Sequence, residues 1–197
     1  MIRWVLLGVV LLSGCGSDKL APLAGNDVIV AFGDSLTAGK GVEQSAAYPA
    51  VLSELSGKVV INAGVSGETT SEGLQRLPSV LDKEQPSLLI LFQGGNDILQ
   101  NQDLSRTKSN LDQMIELAQR RGIQVALVGL PRKQLFSNTA KLYVELAETH
   151  NLPLEDDIVA SLLRKPAMKS DSVHFNASGY RALAESINTM LAEAGAY

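Results

Sequence analysis

The sequence predicts a single α/β domain in three layers, with a parallel five-stranded sheet between two layers of helices. Short apolar runs alternate along the chain with longer segments of helical periodicity, and the connections between them are short. Continuous apolar runs are typical of strands that are buried on both faces of a parallel sheet. A chain of 197 residues is long enough for one domain with a sizeable core, but not for two comfortable ones.

Five apolar runs are predicted as strands. They are residues 28–32, 59–61, 88–92 and 125–128, with a weaker candidate at 152–154. Because helical segments separate consecutive strands, the crossovers should be right-handed and helices should cover both faces of the sheet. We expect the flavodoxin-like strand order 2-1-3-4-5.

The helices between these strands are recognised by apolar residues at i, i+3, i+4 and i+7. They are predicted at residues 48–56, 71–84, 104–121, 138–149 and 177–194. Thr69 and Glu72 form a capping-box pattern at the start of the second helix, and Pro78 inside that helix predicts a kink or a break.

The first 26 residues differ from the rest of the chain. Residues 1–14 combine Arg3 with an apolar stretch that is shorter than the roughly 20 residues of a membrane-spanning helix, which indicates an export signal. The residues around Cys15 resemble the bacterial lipobox, and this is the only cysteine of the chain. We therefore expect lipidation of Cys15, a tether over residues 15–26 and a folded domain over 27–197.

This anchor predicts a location in the bacterial cell envelope. Gly16, rather than the aspartate often associated with inner-membrane retention, follows Cys15. The expected place is therefore the outer membrane, with the domain facing the periplasm. We expect a monomer whose membrane contact is the lipid anchor.

Composition and motif content argue against several other classes of protein. The formal net charge is −4 and the basic residues are scattered, so nucleic acid is not an expected partner. The chain has no Walker loop, no GxGxxG and no Gly-x-Ser-x-Gly elbow. Two histidines and one cysteine leave little for a zinc site. We therefore expect neither a metal nor a cofactor.

Reactive side chains follow the predicted strands at the edge where parallel α/β sheets bind ligands. Ser35 comes after the first strand, Gly67 after the second and Asn96 after the third. Asp171 and His174 precede the last helix, three residues apart. At that spacing the carboxylate can hold one imidazole nitrogen while the other nitrogen faces a nucleophile.

Each of these positions also has an ordinary structural interpretation. Ser35 could cap a helix, Gly67 could belong to a plain loop and Asn96 to a turn. The other histidine, His150, is assigned to a solvated helix end. Together, however, the candidates supply a nucleophile, a base, an orienting acid and oxyanion donors, which is what acyl transfer requires. Asp34, beside Ser35, and Asp97, beside Asn96, are expected to be structural hydrogen-bond acceptors.

Four segments in order along the chain resemble the blocks that define the SGNH hydrolases, also called GDSL esterases. They are "FGDSLT" at 32–37, "INAGVSGETT" at 61–70, "GGND" at 94–97 and "DSVH" at 171–174. The resemblance spans residues 27–194, and "SGETTSEGLQRLP" is similar to the branch of bacterial thioesterase I, lysophospholipase and arylesterase enzymes.

This resemblance implies the flavodoxin-like fold and a role for each candidate residue. Ser35 would be the nucleophile, His174 the base and Asp171 the acid that orients it. The oxyanion hole would consist of the backbone N–H groups of Ser35 and Gly67 and the side chain of Asn96.

The chain departs from the family pattern in two places. Phe175 stands where many members have proline after the histidine, which affects the loop geometry. The segment 129–138 is shorter than in the thioesterase branch, where this region helps to form the acyl pocket.

The expected function is that of an esterase acting on aryl or short-to-medium acyl esters, lysophospholipids or acyl thioesters. An O-deacetylase of envelope carbohydrate or peptidoglycan with the same triad is an alternative within enzymes. A non-catalytic, lipid-binding envelope lipoprotein is the alternative of another class.

Overall fold

A parallel sheet of five strands forms the middle layer of the fold. The computed structural model describes residues 19–132 and 138–197. The strands are β1 (Val28–Gly33), β2 (Val59–Gly64), β3 (Leu88–Phe92), β4 (Gln124–Val128) and β5 (Leu154–Glu155). Their order is β2-β1-β3-β4-β5, so the predicted topology is confirmed. β3 is buried along its whole length, as expected for a central strand between two helical layers.

Helices pack on both faces of this sheet. They are α1 (Ser35–Ala38), α2 (Tyr48–Ser56), α3 (Thr70–Glu84), α4 (Gly95–Leu99), α5 (Leu104–Arg120), α6 (Lys141–His150), α7 (Ile158–Leu163) and α8 (Ala177–Glu193). Helix α2 packs against α8, whereas α3 packs against α5, and α5 in turn contacts α6. None of the helices within the described ranges is long and apolar enough to cross a membrane.

The predicted elements and the observed ones differ mainly at their ends. The helix predicted at 138–149 begins only at Lys141, because Thr139 forms an antiparallel bridge with Pro131. The last strand is Leu154–Glu155, displaced by two residues from the predicted start. Helix α3 is continuous through Pro78, so no break occurs there.

The segment predicted as a tether is in part a packed element of the domain. The backbone N–H of Leu20 donates to the carbonyl of Ala194 at 2.9 Å, and that of Leu23 donates to Ala196 at 2.8 Å. Both leucine side chains are buried. The tether expected over 15–26 is therefore wrong for residues 20–23, and the folded domain begins before Asp27. Cys15 and the signal at 1–14 lie outside the described residues.

His150 is predicted at a solvated helix end: it is the last residue of α6, as predicted, but the expected exposure to solvent is wrong. Its Nε2 lies 2.6 Å from Oδ1 of Asp112 on α5, and its side chain is only 12% exposed. The contact joins α6 to α5, and neither residue lines the cavity that carries the candidate residues.

Candidate active site

The carboxyl end of β1 places Ser35 at the start of a short helix. β1 ends at Gly33, and α1 begins at Ser35. The cap of this helix is Asp34, whose Oδ1 accepts a hydrogen bond from the backbone N–H of Leu36 at 3.0 Å. Because Asp34 performs the capping, the alternative of Ser35 as the cap is wrong, and the serine hydroxyl is available for another partner.

The end of β2 comes unusually close to α1. Gly64 pairs with Gly33 in the sheet, and a Cβ on Gly64 would lie 2.2 Å from the backbone nitrogen of Ala38. Only a residue without a side chain permits this approach. Gly64 therefore allows α1, the helix that carries Ser35, to lie directly against the end of β2.

Asp171 organises the turn that carries His174. Its Oδ1 accepts hydrogen bonds from the backbone N–H groups of Val173 at 2.9 Å and His174 at 2.8 Å, and its Oδ2 lies 2.7 Å from His174 Nδ1. These hydrogen bonds, the one from Val173 first, hold the pKa of the Asp171 carboxyl well below its usual range. Asp171 is therefore a carboxylate at neutral pH.

His174 connects this carboxylate to Ser35. The Nε2 atom of His174 lies 2.9 Å from Ser35 Oγ, and the imidazole is buried. Since the carboxylate can only accept, Nδ1 carries the proton in the neutral ring, and Nε2 is left to accept from the serine hydroxyl. The structure thus brings together the three residues predicted for a triad.

Phe175, the first departure from the family pattern, supports the histidine turn. Its side chain is fully buried and meets Tyr180 edge-on, with ring centroids 5.6 Å apart. The Tyr180 hydroxyl donates to the carbonyl of Lys40, just after α1, at 3.0 Å. These contacts tie the histidine turn to the segment that follows Ser35, so the phenylalanine is compatible with the triad geometry.

Gly67 and Asn96 line the same cavity as Ser35 and His174. The cavity has a volume of about 140 Å³. Gly67 has a φ of +86°, a conformation that L side chains rarely adopt. The Asn96 side chain donates through Nδ2 to the carbonyl of Glu68 at 3.0 Å. All five candidate residues therefore meet at one edge of the sheet.

Comparison with known proteins agrees with this geometry. The family model of the GDSL-like lipase/acylhydrolase family matches residues 31–182, well over half of the chain. The chain belongs to this family. The match includes the serine, glycine, asparagine, aspartate and histidine positions described above.

Individual members of the GDSL-like family show what the chain is similar to. It is 32% identical over 161 residues to Thioesterase 1/protease 1/lysophospholipase L1 of Escherichia coli K12, covering 78% of this chain and 77% of the relative. It is 30% identical over 160 residues to an arylesterase of Vibrio mimicus, covering 76% of this chain and 80% of the relative. A crystal structure of TesA superposes with a TM-score of 0.79 at 26% identity, covering 84% of this chain and 98% of that one. The protein is thus a hydrolase of ester bonds with the GDSL-like fold.

Two aspartates beside the site of this GDSL-like hydrolase are buried hydrogen-bond acceptors, as expected. Asp97 accepts from the backbone N–H and the hydroxyl of Thr70, at 2.9 and 2.6 Å. Burial is the main cause that raises the pKa of Asp34 to about 6, and the neighbouring carboxylates of Asp97 and Glu68 raise it further. The hydrogen bonds from Leu36 and Gly95 act in the opposite direction.

The raised pKa of Asp34 predicts a specific pH dependence of stability. The ordinary pKa is 3.8 and the folded value is about 6, so in this window the unfolded chain binds fewer protons at this site than the folded one. The contribution of Asp34 to the free energy of unfolding therefore falls as the pH rises from about 4 to about 6, by roughly 2–3 kcal/mol.

Urea unfolding of Asp34→Asn and wild type at several pH values measures this effect. The asparagine cannot ionise, so the stability of the variant relative to wild type should improve as the pH rises through the window. The exposed Asp156→Asn is the matched control and should keep the wild-type dependence. Parallel curves for Asp34→Asn and wild type would contradict the assignment.

Metal binding has no visible basis at this site. Within residues 19–132 and 138–197, no group of three His, Cys, Asp or Glu side chains could hold a metal ion.

The second departure from the family pattern, the short segment 129–138, lies partly outside the described residues, which stop at 132 and resume at 138.

Sequence reasoning missed two charged residues next to the site. Glu68 directly follows Gly67, and Arg76 lies one turn beyond the capping box of α3. The two side chains form a salt bridge at 2.6 Å under the loop that carries Gly67. Both residues lie in the segment "SGETTSEGLQRLP" at 66–78, whose resemblance to the thioesterase I branch is a signal in the sequence, but nothing in the sequence pairs the two side chains.

Proposed function

We propose that the protein is a serine esterase that hydrolyses carboxylic esters through an acyl-enzyme on Ser35. The observation that carries this proposal is the continuous chain of contacts from Asp171 Oδ2 to His174 Nδ1, at 2.7 Å, and from His174 Nε2 to Ser35 Oγ, at 2.9 Å. Both distances are those of hydrogen bonds that can move a proton from a nucleophile to a base.

In the first step, His174 Nε2 takes the proton of Ser35 as Oγ attacks the ester carbonyl. The Asp171 carboxylate keeps the imidazole in the required tautomer and stabilises the imidazolium that forms. Its low pKa suits this role, because the carboxylate stays ionised while the ring becomes charged. His174 then returns the proton to the leaving alcohol, and the acyl group remains on Ser35.

In the second step, water resolves the acyl-enzyme. His174 takes a proton from the water as its oxygen attacks the acyl carbonyl, and the same proton returns to Ser35 Oγ when the carboxylic acid leaves. In both steps the tetrahedral oxyanion would rest on the backbone N–H groups of Ser35 and Gly67 and on Asn96 Nδ2. Such donors stabilise charge that develops only in the transition state.

Asn96→Ala is expected to lower kcat about 10²- to 10³-fold, because it removes one oxyanion donor and leaves the triad intact. The KM should change much less, since the ground-state carbonyl carries little charge. Steady-state kinetics with a p-nitrophenyl ester provides the measurement. The control is Asn188→Ala on α8, where the Asn188 side chain accepts only from the Tyr197 hydroxyl among the described contacts. An Asn96→Ala enzyme with wild-type kcat would contradict the assignment of Asn96 to the oxyanion hole.

The part of the cavity that the described residues line supports substrates with small acyl groups. Its volume of about 140 Å³ lies below the 300–1,000 Å³ that is common for drug-sized ligands. Leu36, Leu99 and Val173 contribute apolar side chains to its lining. We propose short-chain carboxylic esters, including aryl esters, as the preferred class, ahead of lysophospholipids and long-chain acyl thioesters.

A substrate panel tests this preference. Initial rates with p-nitrophenyl acetate, butyrate, octanoate and laurate, with acyl thioesters of the same lengths and with a lysophospholipid should be highest for the short oxygen esters. Acetylated glycans form a further arm, which tests the O-deacetylase alternative. Faster turnover of the laurate or of the lysophospholipid would contradict the short-chain preference without affecting the serine mechanism.

We also propose that Cys15 is lipidated and anchors the monomeric enzyme in the bacterial cell envelope, at the outer membrane facing the periplasm. The support is the lipobox-like sequence before Cys15 and the early start of the folded domain, which leaves few residues between anchor and domain. Detergent phase partition of full-length wild type and Cys15→Ser tests this. Wild type should enter the detergent phase and the variant the aqueous phase, and equal partition would contradict lipidation.

A further inference from the structure

An ion pair between Glu68, which is buried, and Arg76, whose side chain is 25% exposed, lies next to the proposed oxyanion donors. Glu68 accepts from Arg76 Nε at 2.6 Å and from Arg76 Nη2 at 2.7 Å, a two-point contact between the carboxylate and the guanidinium. A third donor, Gln93 Nε2, lies 2.7 Å from the same carboxylate. The Glu68 side chain is 5% exposed. Three donors on one buried carboxylate fix its position closely.

The Arg76 guanidinium has two further contacts besides its ion pair with Glu68. Its Nη2 donates to the carbonyl of Ala63 on β2 at 3.0 Å, and its guanidinium lies 4.1 Å from the centre of the Phe32 ring on β1. The arginine therefore connects the loop that contains Glu68 to β1 and to the edge strand β2, near the carboxyl ends of both. Lysine offers neither the two-point contact nor the planar group that stacks on a ring.

The backbone of Glu68 is next to two of the proposed oxyanion donors, Gly67 in the loop after β2 and Asn96 after β3. Glu68 directly follows Gly67 in the chain, and in the proposed mechanism the Gly67 N–H faces the cavity. The Glu68 carbonyl accepts one hydrogen of Asn96 Nδ2 at 3.0 Å. The other contact of this amide, to Asp34 Oδ2, is long at 3.5 Å, so a ligand oxygen can take its place. The orientation of two donors thus depends on one residue.

We propose that Glu68 and Arg76 are positioning residues, whose ion pair sets the Gly67 N–H and the Asn96 amide in the geometry that the oxyanion needs. This inference rests on the proposed serine esterase mechanism. Oxyanion donors are effective because they are oriented before the reaction begins, and a small displacement of such a group costs a large factor in rate. A buried ion pair adds little to stability compared with apolar packing, so its place behind the donors points to a role in geometry.

The test uses Arg76→Gln and Arg76→Lys, with Arg121→Gln as the matched control. Arg121 also binds α3, through Asp82 in its last turn at 2.6 Å and through the carbonyl of Pro78 in its middle at 3.2 Å, but it has no contact with Glu68 or Asn96 among the described hydrogen bonds. With a short p-nitrophenyl ester we expect Arg76→Gln to lower kcat about 10-fold or more with KM within about 3-fold, and Arg76→Lys to lose less. Arg121→Gln should keep the wild-type kcat.

A double-mutant cycle with Asn96→Ala separates positioning from a merely structural role. If Arg76 acts through the oxyanion donors, its substitution should cost less kcat in the Asn96→Ala background, by a factor of about 3 or more. Arg121→Gln should cost the same in both backgrounds. If Arg76→Gln fails to fold, the same double-mutant cycle is measured with Arg76→Lys.

The outcomes distinguish this inference from the function on which it rests. Additive losses, or a loss in KM and melting temperature without a loss in kcat, would overturn the positioning role even when wild type hydrolyses esters through Ser35. A wild-type protein whose ester hydrolysis does not depend on Ser35 would overturn the proposed mechanism, and the positioning role with it.

Discussion

Ser35→Ala is expected to lower kcat for a p-nitrophenyl ester by about 10⁶-fold. The serine hydroxyl lies 2.9 Å from His174 Nε2, so its loss leaves the base without the nucleophile that it would activate. The alanine also suits the first turn of α1, and the cap provided by Asp34 remains.

Controls separate this effect from a loss of folding. The melting temperature of Ser35→Ala should stay close to that of wild type, and Ser109→Ala on α5 should keep full activity. Addition of His174→Ala to Ser35→Ala should cost little more, because the residues of a triad act as a unit. Comparable hydrolysis by wild type and Ser35→Ala would contradict the assignment of the nucleophile.

Asp171→Asn is expected to lower kcat by about 10⁴-fold. The asparagine Oδ1 can still accept from the backbone N–H groups of Val173 and His174, so the turn should keep its shape. Its Nδ2, however, would donate to His174 Nδ1, which moves the ring proton to Nε2, where it faces Ser35. The base is then in the wrong tautomer.

The kcat of Asp171→Asn with the same ester checks this result. Asp157→Asn, an exposed aspartate at the start of α7, serves as the control and should match wild type. An Asp171→Asn enzyme within tenfold of wild type would show that the short contact between Asp171 and His174 contributes little to catalysis.

The sheet could be predicted because each strand corresponds to a short run of apolar residues that are consecutive in the sequence. The runs in β1, β3 and β4 are continuously apolar, and the segments between them have helical periodicity, which together define a doubly wound sheet. The element ends were harder to predict. The start of α6, for example, depends on a bridge between Thr139 and Pro131, which no periodicity reveals.

The packing of residues 20–23 could not be predicted because it depends on the opposite end of the chain. Leu20 and Leu23 have no periodic neighbours, and their backbone partners are Ala194 and Ala196. A short stretch with Pro22 and Gly25 has the composition of a flexible linker. It becomes ordered because the residues that follow α8, Ala194 and Ala196, supply carbonyl acceptors for its backbone N–H groups.

The candidate site was predictable to the extent that its reactive side chains follow predicted strands, as Ser35 and Asn96 do, or stand in a short loop before the last helix, as His174 does. Ser35, Asn96 and His174 each have a reactive side chain, and the parallel topology brings them to one edge. The capping role of Asp34 and the ion pair of Glu68 with Arg76 were not predictable in this way. Charged residues are common in loops and helices, and only the folded structure shows which of them are buried beside the reactive groups.

Reaction of the purified protein with a fluorophosphonate, followed by mass spectrometry of its peptides, tests the serine esterase mechanism most directly. The mechanism predicts a single phosphonylated residue, Ser35, with loss of ester hydrolysis in proportion to labelling, and no labelling of Ser35→Ala. Labelling at another serine, or full ester hydrolysis by protein that carries the phosphonyl group on Ser35, would contradict it.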